Sequence, residues 1–195
     1  MKKVTKSVAL VAACAAIFAA CGGSSDSSDT SGTAATDAPM TTDESTTVAP
    51  SGPQVTIVEG TEFPAGAETM ITVQGSGFVD LATGSRPPLE GLATGIYVVF
   101  GTFDDVWRPS EGAPASARRT VAEDQMWAMP AASRAVLDPE NLLPNIFELD
   151  DAGNFTVTIP VTKIEGTGTY AIAVYPASGA VKAEHEFLIP ITFID

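Results

Sequence analysis

The stretch NFTVTIPV, residues 154–161, decides the fold class. Polar residues or proline alternate in it with large apolar residues, which are Phe155, Val157, Ile159 and Val161. Successive side chains of a β-strand point to opposite faces, so this period of two predicts a strand with one buried face. The preceding residues, ELDDAGN at 148–154, have the form of a tight turn, in which an aspartate caps its own backbone and Gly153 supplies a positive φ.

The same period of two recurs in other segments between residue 54 and the end of the chain. It is present in ETMITVQG (68–75), TYAIAVYP (169–176) and HEFLIPITFI (185–194), in which Pro190 indicates an edge strand or a bulge. The segment GIYVVFG (95–101) is apolar on both sides, as expected for a central strand.

Helical character is confined to residues 131–145, where Pro139 and Pro144 limit a helix to a turn or two. Between the central strand and residue 154, QMWAMP (125–130) is the best candidate for a further strand. Several short strands, frequent turn signals and the lack of a long amphipathic helix predict an all-β fold, which we expect to be an antiparallel β-sandwich over residues 54–195.

A tyrosine in GTGTYAIAV (166–174) refines this expectation. Tyr170 stands at a strand start, two residues after a glycine. In immunoglobulin-type sandwiches this spacing marks the tyrosine corner, whose hydroxyl bonds to an earlier backbone group. Together with ITVQGSGF (71–78) and DDAGNFTVTIPV (150–161), it resembles a small immunoglobulin-like domain, most of all the neocarzinostatin-like modules of actinobacterial exported proteins. Neocarzinostatin itself carries disulfides that this chain lacks, so we transfer no ligand residues.

The beginning of the chain has the features of an export signal. Lysines at positions 2, 3 and 6 precede an apolar run over residues 7–20. A helix needs about 20 apolar residues to span the hydrocarbon core of a bilayer, so this run is too short. A basic start, a short apolar run and small residues before a cleavage point are typical of a signal peptide, which we place at residues 1–20.

The apolar run ends in FAAC, which resembles the lipobox of bacterial lipoproteins. In that family the cysteine is lipidated and becomes the new N-terminus. We therefore expect lipid attachment at Cys21, and a location on the cell membrane facing away from the cytoplasm. Two alternatives stay open: a lipid site at Cys14, which ends VAAC, and an ordinary secretory peptide without lipid.

The segment from Cys21 to residue 53 is rich in Ser, Thr, Gly and Asp. It cannot bury enough apolar surface to offset chain entropy, so we expect a disordered tether. Once the three signal-peptide lysines are removed, seven basic residues stand against 24 acidic ones. Such an acidic chain repels nucleic acid and anionic lipid headgroups, so nucleic acid is not an expected partner and membrane contact must come from the lipid.

Metal and cofactor chemistry finds little support in the residues beyond the tether. Both cysteines lie at positions 14 and 21, and His185 is the single histidine, which excludes a cysteine–zinc centre in the domain and disfavours other zinc sites. For His185 we expect a structural or solvent-facing role. GSGF (75–78) is too short for a nucleotide-binding fingerprint, so no cofactor is predicted. The pairs 104–105 and 150–151 of aspartates fit turns better than carboxylate catalysis or a calcium site.

The most unusual stretch is FDDVWRPSEGAPASARRT, residues 103–120, which follows the central strand. The chain's scarce cations and both tryptophans concentrate in and just after it, which makes a set of candidate ligand-binding residues: Trp107, Arg108, Arg118, Arg119 and Trp127. The competing hypothesis is structural. In it, the first tryptophan covers the open end of the core, and the arginines neutralise nearby acids at positions 104, 105, 111 and 123.

These patterns predict a lipid-anchored, extracytoplasmic binding module without catalytic activity. Its partner would be a cell-envelope component or a protein, and this step follows from analogy with other immunoglobulin-like domains. The alternatives are a structural spacer of the cell envelope and a hydrolase with its site in the 104–153 insertion.

Overall fold

The computed structural model describes residues 52–195. The predicted signal peptide, the lipid sites Cys14 and Cys21 and nearly all of the predicted tether lie outside the described residues. The described residues all belong to one compact unit.

Short strands dominate residues 52–195, which confirms the all-β class. The strands are β1 (Gln54–Ile57), β2 (Glu62–Pro64), β3 (Thr69–Ser76), β4 (Ile96–Phe103), β5 (Arg118–Thr120), β6 (Met126–Met129), β7 (Ile146–Glu148), β8 (Phe155–Val161), β9 (Thr169–Pro176), β10 (Phe187–Pro190) and β11 (Thr192–Ile194). A helix α1 spans Ala131–Leu137, before the two prolines that were predicted to limit it. Single turns of 3₁₀-helix lie at Pro109–Glu111, Ala115–Ala117, Ala122–Asp124 and Ala183–His185.

The strands form three sheets. The largest has the order β10-β9-β4-β6-β7, with β5 also paired to β4; a second has the order β1-β3-β8; and β2 pairs with β11. Most neighbours are antiparallel, as expected, but β6 with β7 and β2 with β11 are parallel, which the sequence did not predict. Parallel neighbours need a crossover connection, and residues 130–145, which contain α1, provide one between β6 and β7.

The main core lies between the six-stranded and the three-stranded sheet. In β8 the predicted alternation is confirmed, since its buried residues are Phe155, Val157, Ile159 and Val161. They pack in one cluster with Ile96, Val98 and Phe100 of β4 and with Ile172 and Val174 of β9. The ring of Phe155 occupies the space beside Gly75 on β3, where any Cβ would overlap it. The two sheets therefore bury their facing sides against each other.

The strand β4 is central, as its sequence predicts. It pairs with β9 along its whole length and with β6 and β5 on its other edge. Its even-numbered side chains join the main core, whereas Val99 and Phe103 belong to a second apolar cluster on the outer face of the six-stranded sheet. Both faces of β4 are thus covered, and the outer cover contains the candidate site.

Two finer expectations about the last strands are confirmed. The Tyr170 hydroxyl donates to the Ile164 carbonyl at 2.6 Å, which is the expected bond to an earlier backbone group. Pro190 ends β10, the edge strand of its sheet, and the chain then continues as β11 beside β2. Proline lacks the N–H that a strand inside a sheet needs for its second neighbour, so an edge strand accommodates Pro190.

Candidate functional site

An aromatic row crosses the outer face of the six-stranded sheet. Trp127 of β6 lies directly opposite Tyr97 of β4, and Tyr97 lies directly opposite Tyr175 of β9. The ring centres are 5.0 Å apart for the first pair and 5.9 Å for the second, and both pairs meet edge to face. All three rings are half-buried. The strand register alone places them side by side.

The segment between β4 and β5 covers the end of this row. Trp107 is 4% exposed and packs over small residues of the sheet, Ala171 and Ala173. Its ring also meets Phe103 at 5.7 Å and Tyr175 at 6.3 Å between ring centres. The structure therefore places Trp107 on the outer face of the sheet, rather than at an open end of the core.

A buried carboxylate fixes this segment to the sheet edge. Glu186 is 5% exposed and accepts two hydrogen bonds from Ser110, one from its backbone N–H at 3.0 Å and one from its hydroxyl at 2.6 Å. A buried carboxylate must be hydrogen-bonded to be tolerated, so the pairing is specific. It sets the position of Pro109, the residue before Ser110.

The pairing of β5 with β4 requires a glycine on β4. Gly101 of β4 faces β5, where Thr120 is its register partner, and a Cβ on Gly101 would overlap the carbonyl of Arg119. The missing side chain allows the short strand to lie close to β4. Neighbouring residues of a strand point to opposite sides, so Arg118 and Arg119 diverge.

Arg119 is directed away from the aromatic row. Its guanidinium contacts both carboxylate oxygens of Asp104, at 2.9 and 3.3 Å, and donates to the Thr167 carbonyl at 3.1 Å. Arg108 lies 3.7 Å from Glu111 and 5.9 Å from the centre of the Trp107 ring. Each of these two arginines thus lies beside an acid, as the structural hypothesis expects.

Arg118 behaves differently. Its Nη1 donates to the Trp107 carbonyl at 2.6 Å, and its guanidinium carbon lies 5.7 Å from the centre of the Tyr175 ring. Within residues 52–195 it forms no ion pair, although acidic side chains greatly outnumber basic ones. A half-buried cation held over an aromatic face is pre-placed for an anion.

Arg118 lines a cleft of about 310 Å³, which we call the arginine cleft. Its walls include Tyr97, Pro109, Tyr175, Pro176 and Ala180. Burial raises the pKa of both tyrosines above 10.0, and the charge of Arg118 offsets only part of that rise for Tyr175. At neutral pH the phenols are therefore uncharged hydrogen-bond donors beside a permanent cation. Such a site attracts an anion and presents aromatic surface to the rest of the ligand.

The structure brings together only part of the predicted set. Arg118 lines the cleft, and Trp127 extends the aromatic row beyond Tyr97. Trp107 is the residue of the covering segment that packs on the sheet. Arg108 and Arg119 pair with acids. Sequence reasoning missed the two tyrosines. A signal for them was present on the face of each strand that points away from the main core. On that face of GIYVVFG and of TYAIAVYP, one tyrosine alternates with small or β-branched residues.

A second depression, of about 280 Å³, lies on the three-stranded sheet. Its lining side chains carry no charge and include Gln54, Thr56, Gln74, Ser76 and Asn154. It offers hydrogen bonds but no fixed charge, so it selects ligands less sharply than the arginine cleft does.

The remaining titratable candidates have structural roles. The turn at 150–154 is confirmed, because Asp150 accepts a bond from the Asn154 N–H at 2.7 Å and Gly153 has a φ of 77°. These bonds from Asn154 lower the pKa of Asp150. His185 is 2% exposed and packs on Phe78, with 5.2 Å between ring centres. In the part of the chain described, no three His, Cys, Asp or Glu side chains gather as metal ligands would.

Comparison with protein-family models, with curated proteins and with solved structures finds no match to this chain. None of the helices within residues 52–195 has the length and apolarity that crossing a membrane requires. The function is therefore inferred from the geometry of the site.

Proposed function

We propose that this protein is a lipid-anchored, extracytoplasmic binding module without catalytic activity, and that the arginine cleft is its ligand site. The observation that carries the proposal is Arg118, a half-buried arginine without an acidic partner within residues 52–195 in a strongly acidic chain. Its neighbour on β5, Arg119, is by contrast paired with Asp104.

The chemistry of the lining favours binding over catalysis. The titratable groups of the cleft are Tyr97, Arg118 and Tyr175. Burial raises both tyrosine pKa values, and a guanidinium stays protonated, so these groups hold one protonation state around neutral pH. Acid–base catalysis instead needs a group whose pKa lies near the working pH.

An immunoglobulin-like sandwich is the domain type we propose. Two sheets that bury their facing sides and the bond from Tyr170 to the Ile164 carbonyl support it. The lipid anchor and the outward location are proposed from FAAC at Cys21 and from the export signal before it. The bound partner would then be a soluble or surface component of the cell envelope.

The experiment blocks the cleft without removing any of its charged groups. Ala115 lines the cleft and is exposed, so Ala115→Trp would fill it. Ser116 is also exposed but is not part of the lining, which makes Ser116→Trp the matched control. The immobilised full chains are incubated with a fractionated cell-envelope extract, and the retained material is identified by mass spectrometry.

We expect wild type and Ser116→Trp to retain the same component and Ala115→Trp to lose it. Retention by all three chains would show that the ligand site lies elsewhere. If none of them retained anything, the proposal of a binding module would be contradicted, and the spacer and the hydrolase would be left as alternatives.

A further inference from the structure

The arginine cleft contains a single permanent charge. The guanidinium has five N–H donors, and the bond from Nη1 to the Trp107 carbonyl orients it without using them all. A guanidinium matches the two oxygens of a carboxylate in a planar, bidentate geometry. A phosphate dianion would call for a second cation, and among residues 52–195 no other lysine or arginine lines the cleft. One fixed charge therefore fits a monoanion.

The other walls are mostly apolar, although they also contain the hydroxyl of Thr120 and the two phenol hydroxyls. Two prolines, Pro109 and Pro176, and Ala180 line the cleft with the rings of Tyr97 and Tyr175. A sugar would present more hydroxyl groups than Thr120 and the two phenols can bind, whereas a flat ring or an alkyl chain would be buried favourably against the prolines and the aromatic rings. At about 310 Å³ the cleft is at the small end of ligand sites and has room for one such group.

We infer that the arginine cleft binds a monocarboxylate attached to an aromatic or alkyl group, with the carboxylate on Arg118 and the apolar group against the two tyrosines. This inference rests on the proposed function and specifies its ligand. The same chemistry occurs in a free aryl or alkyl acid and at the C-terminus of a peptide that ends in an apolar residue.

The test uses defined probes and the full chain in detergent, with binding followed by calorimetry. The two acids are 3-phenylpropionate, for a free acid, and N-acetylphenylalanine, for a peptide C-terminus. Each is compared with its neutral amide, and phenyl phosphate serves as the dianion. We expect each acid to bind about tenfold or more tightly than its amide, because a charge-assisted hydrogen bond is lost in the amide.

Variants locate the carboxylate. Arg118→Gln should weaken binding of the acids by about tenfold or more, whereas Arg119→Gln, on the opposite side of β5, should change it by less than about twofold. Arg118 also supports the loop, so Arg118→Gln is checked by thermal melting. If that variant does not fold, the inference is still tested by wild type, through the ratio of the dissociation constants of each amide and its acid.

Several results would overturn the inference. These are equal binding of acids and amides, tighter binding of phenyl phosphate than of the acids, an equal loss in the two arginine variants, or no binding of either acid. If the acids fail but Ala115→Trp still abolishes capture from the envelope extract, the ligand class is wrong and the proposed function stands. If both experiments fail, the proposed function is wrong as well. Tighter binding of 3-phenylpropionate would indicate a free acid as the ligand, and tighter binding of N-acetylphenylalanine would indicate a peptide C-terminus. Either result supports the inference.

Discussion

The hydroxyl of Ser110 donates to a carboxylate oxygen of Glu186 at 2.6 Å, although 76 residues separate them in the chain. Ser110 lies in the segment that covers the outer face of the six-stranded sheet, and Glu186 lies directly before the edge strand β10. This pair is one of the polar contacts that hold the covering segment in place, beside the bond from Arg118 to the Trp107 carbonyl and the ion pair between Arg119 and Asp104. It links the wall of the arginine cleft to the sheet on which the cleft is built.

Ser110→Ala should lower the free energy of unfolding by about 1–3 kcal/mol, because it leaves one oxygen of a buried carboxylate without its donor. Ser116→Ala is the matched control, since that serine is exposed in the same segment. Urea denaturation of the two variants makes the comparison. Equal midpoints would show that the bond between Ser110 and Glu186 contributes nothing to stability.

Trp107→Ala should lower the free energy of unfolding by about 3–5 kcal/mol, as a large buried side chain is removed from the outer cluster. Arg119→Ala removes only an exposed ion pair and should change stability by about 0–1 kcal/mol. Thermal and urea unfolding measure both. A Trp107→Ala chain that melts like wild type would mean that the covering segment does not seal the sheet.

Gly75 and Phe155 should be energetically coupled, because the aromatic ring fills the space that a side chain at position 75 would take. Gly75→Ala should destabilise by about 1–3 kcal/mol through overpacking. Phe155→Ala should destabilise by about 3–5 kcal/mol through loss of a buried ring. The double variant should be more stable than the sum of the two losses predicts, by about 0.5–3 kcal/mol. Strict additivity in a double-mutant cycle would contradict the packing described.

His185 should make stability depend on pH. Burial lowers its pKa below the ordinary 6.5, and the charge of Lys182 lowers it further, while Glu184 and Asp80 act in the opposite direction. Between the lowered folded value and 6.5 the unfolded chain binds more protons than the folded chain. The contribution of neutral His185 is therefore complete above 6.5 and is lost as the pH falls through 6.5 toward the folded pKa.

Urea midpoints at about pH 7.5 and about pH 5.5 test this expectation. Wild type should be less stable at the lower pH, and His185→Gln should lose that difference. Carboxylates with lowered pKa, such as Asp150, respond only in a more acidic range and remain in both chains. If the urea midpoint of His185→Gln changed with pH as much as that of wild type, groups other than His185 would be responsible for the pH dependence.

Cys21→Ala should release the protein from the membrane fraction, because the lipid is the expected anchor. Cys14→Ala is the matched control and should stay membrane-bound. Fractionation followed by mass spectrometry of the N-terminal peptide reports both. The opposite pattern would place the lipid on Cys14, and release of neither variant would argue against a lipid anchor.

Sequence patterns predict the main core well, because burial of one strand face leaves a period of two, as in β8. Other local signals predict further elements: a continuous apolar run predicts β4, and prolines predict the short helix and the edge strand that ends at Pro190. The parallel pairing of β6 with β7 depends on how a crossover packs, and no local pattern records that.

The candidate site was predictable only in part, for a similar reason. The concentration of cations and tryptophans led to Arg118, but it could not separate Arg118 from Arg119. Their opposite directions depend on β5, a three-residue strand within a segment that reads as a loop. Tyr97 and Tyr175 become neighbours only through the register of β4 with β9. The alanines at 171 and 173 hint at a face with space for a large cover, but they do not show which side chain supplies it.

If the arginine cleft binds a ligand as proposed, the two-sided burial of β4 links occupancy of the cleft to the folding equilibrium. One wall of the arginine cleft belongs to the segment that seals the outer face of the sheet, so losing that seal would dismantle the cleft. The unfolded chain then has no site, and a ligand present at about 100 times its dissociation constant would add roughly 2.7 kcal/mol to the unfolding free energy. The protein would then be most resistant to denaturation and proteolysis while its ligand is abundant.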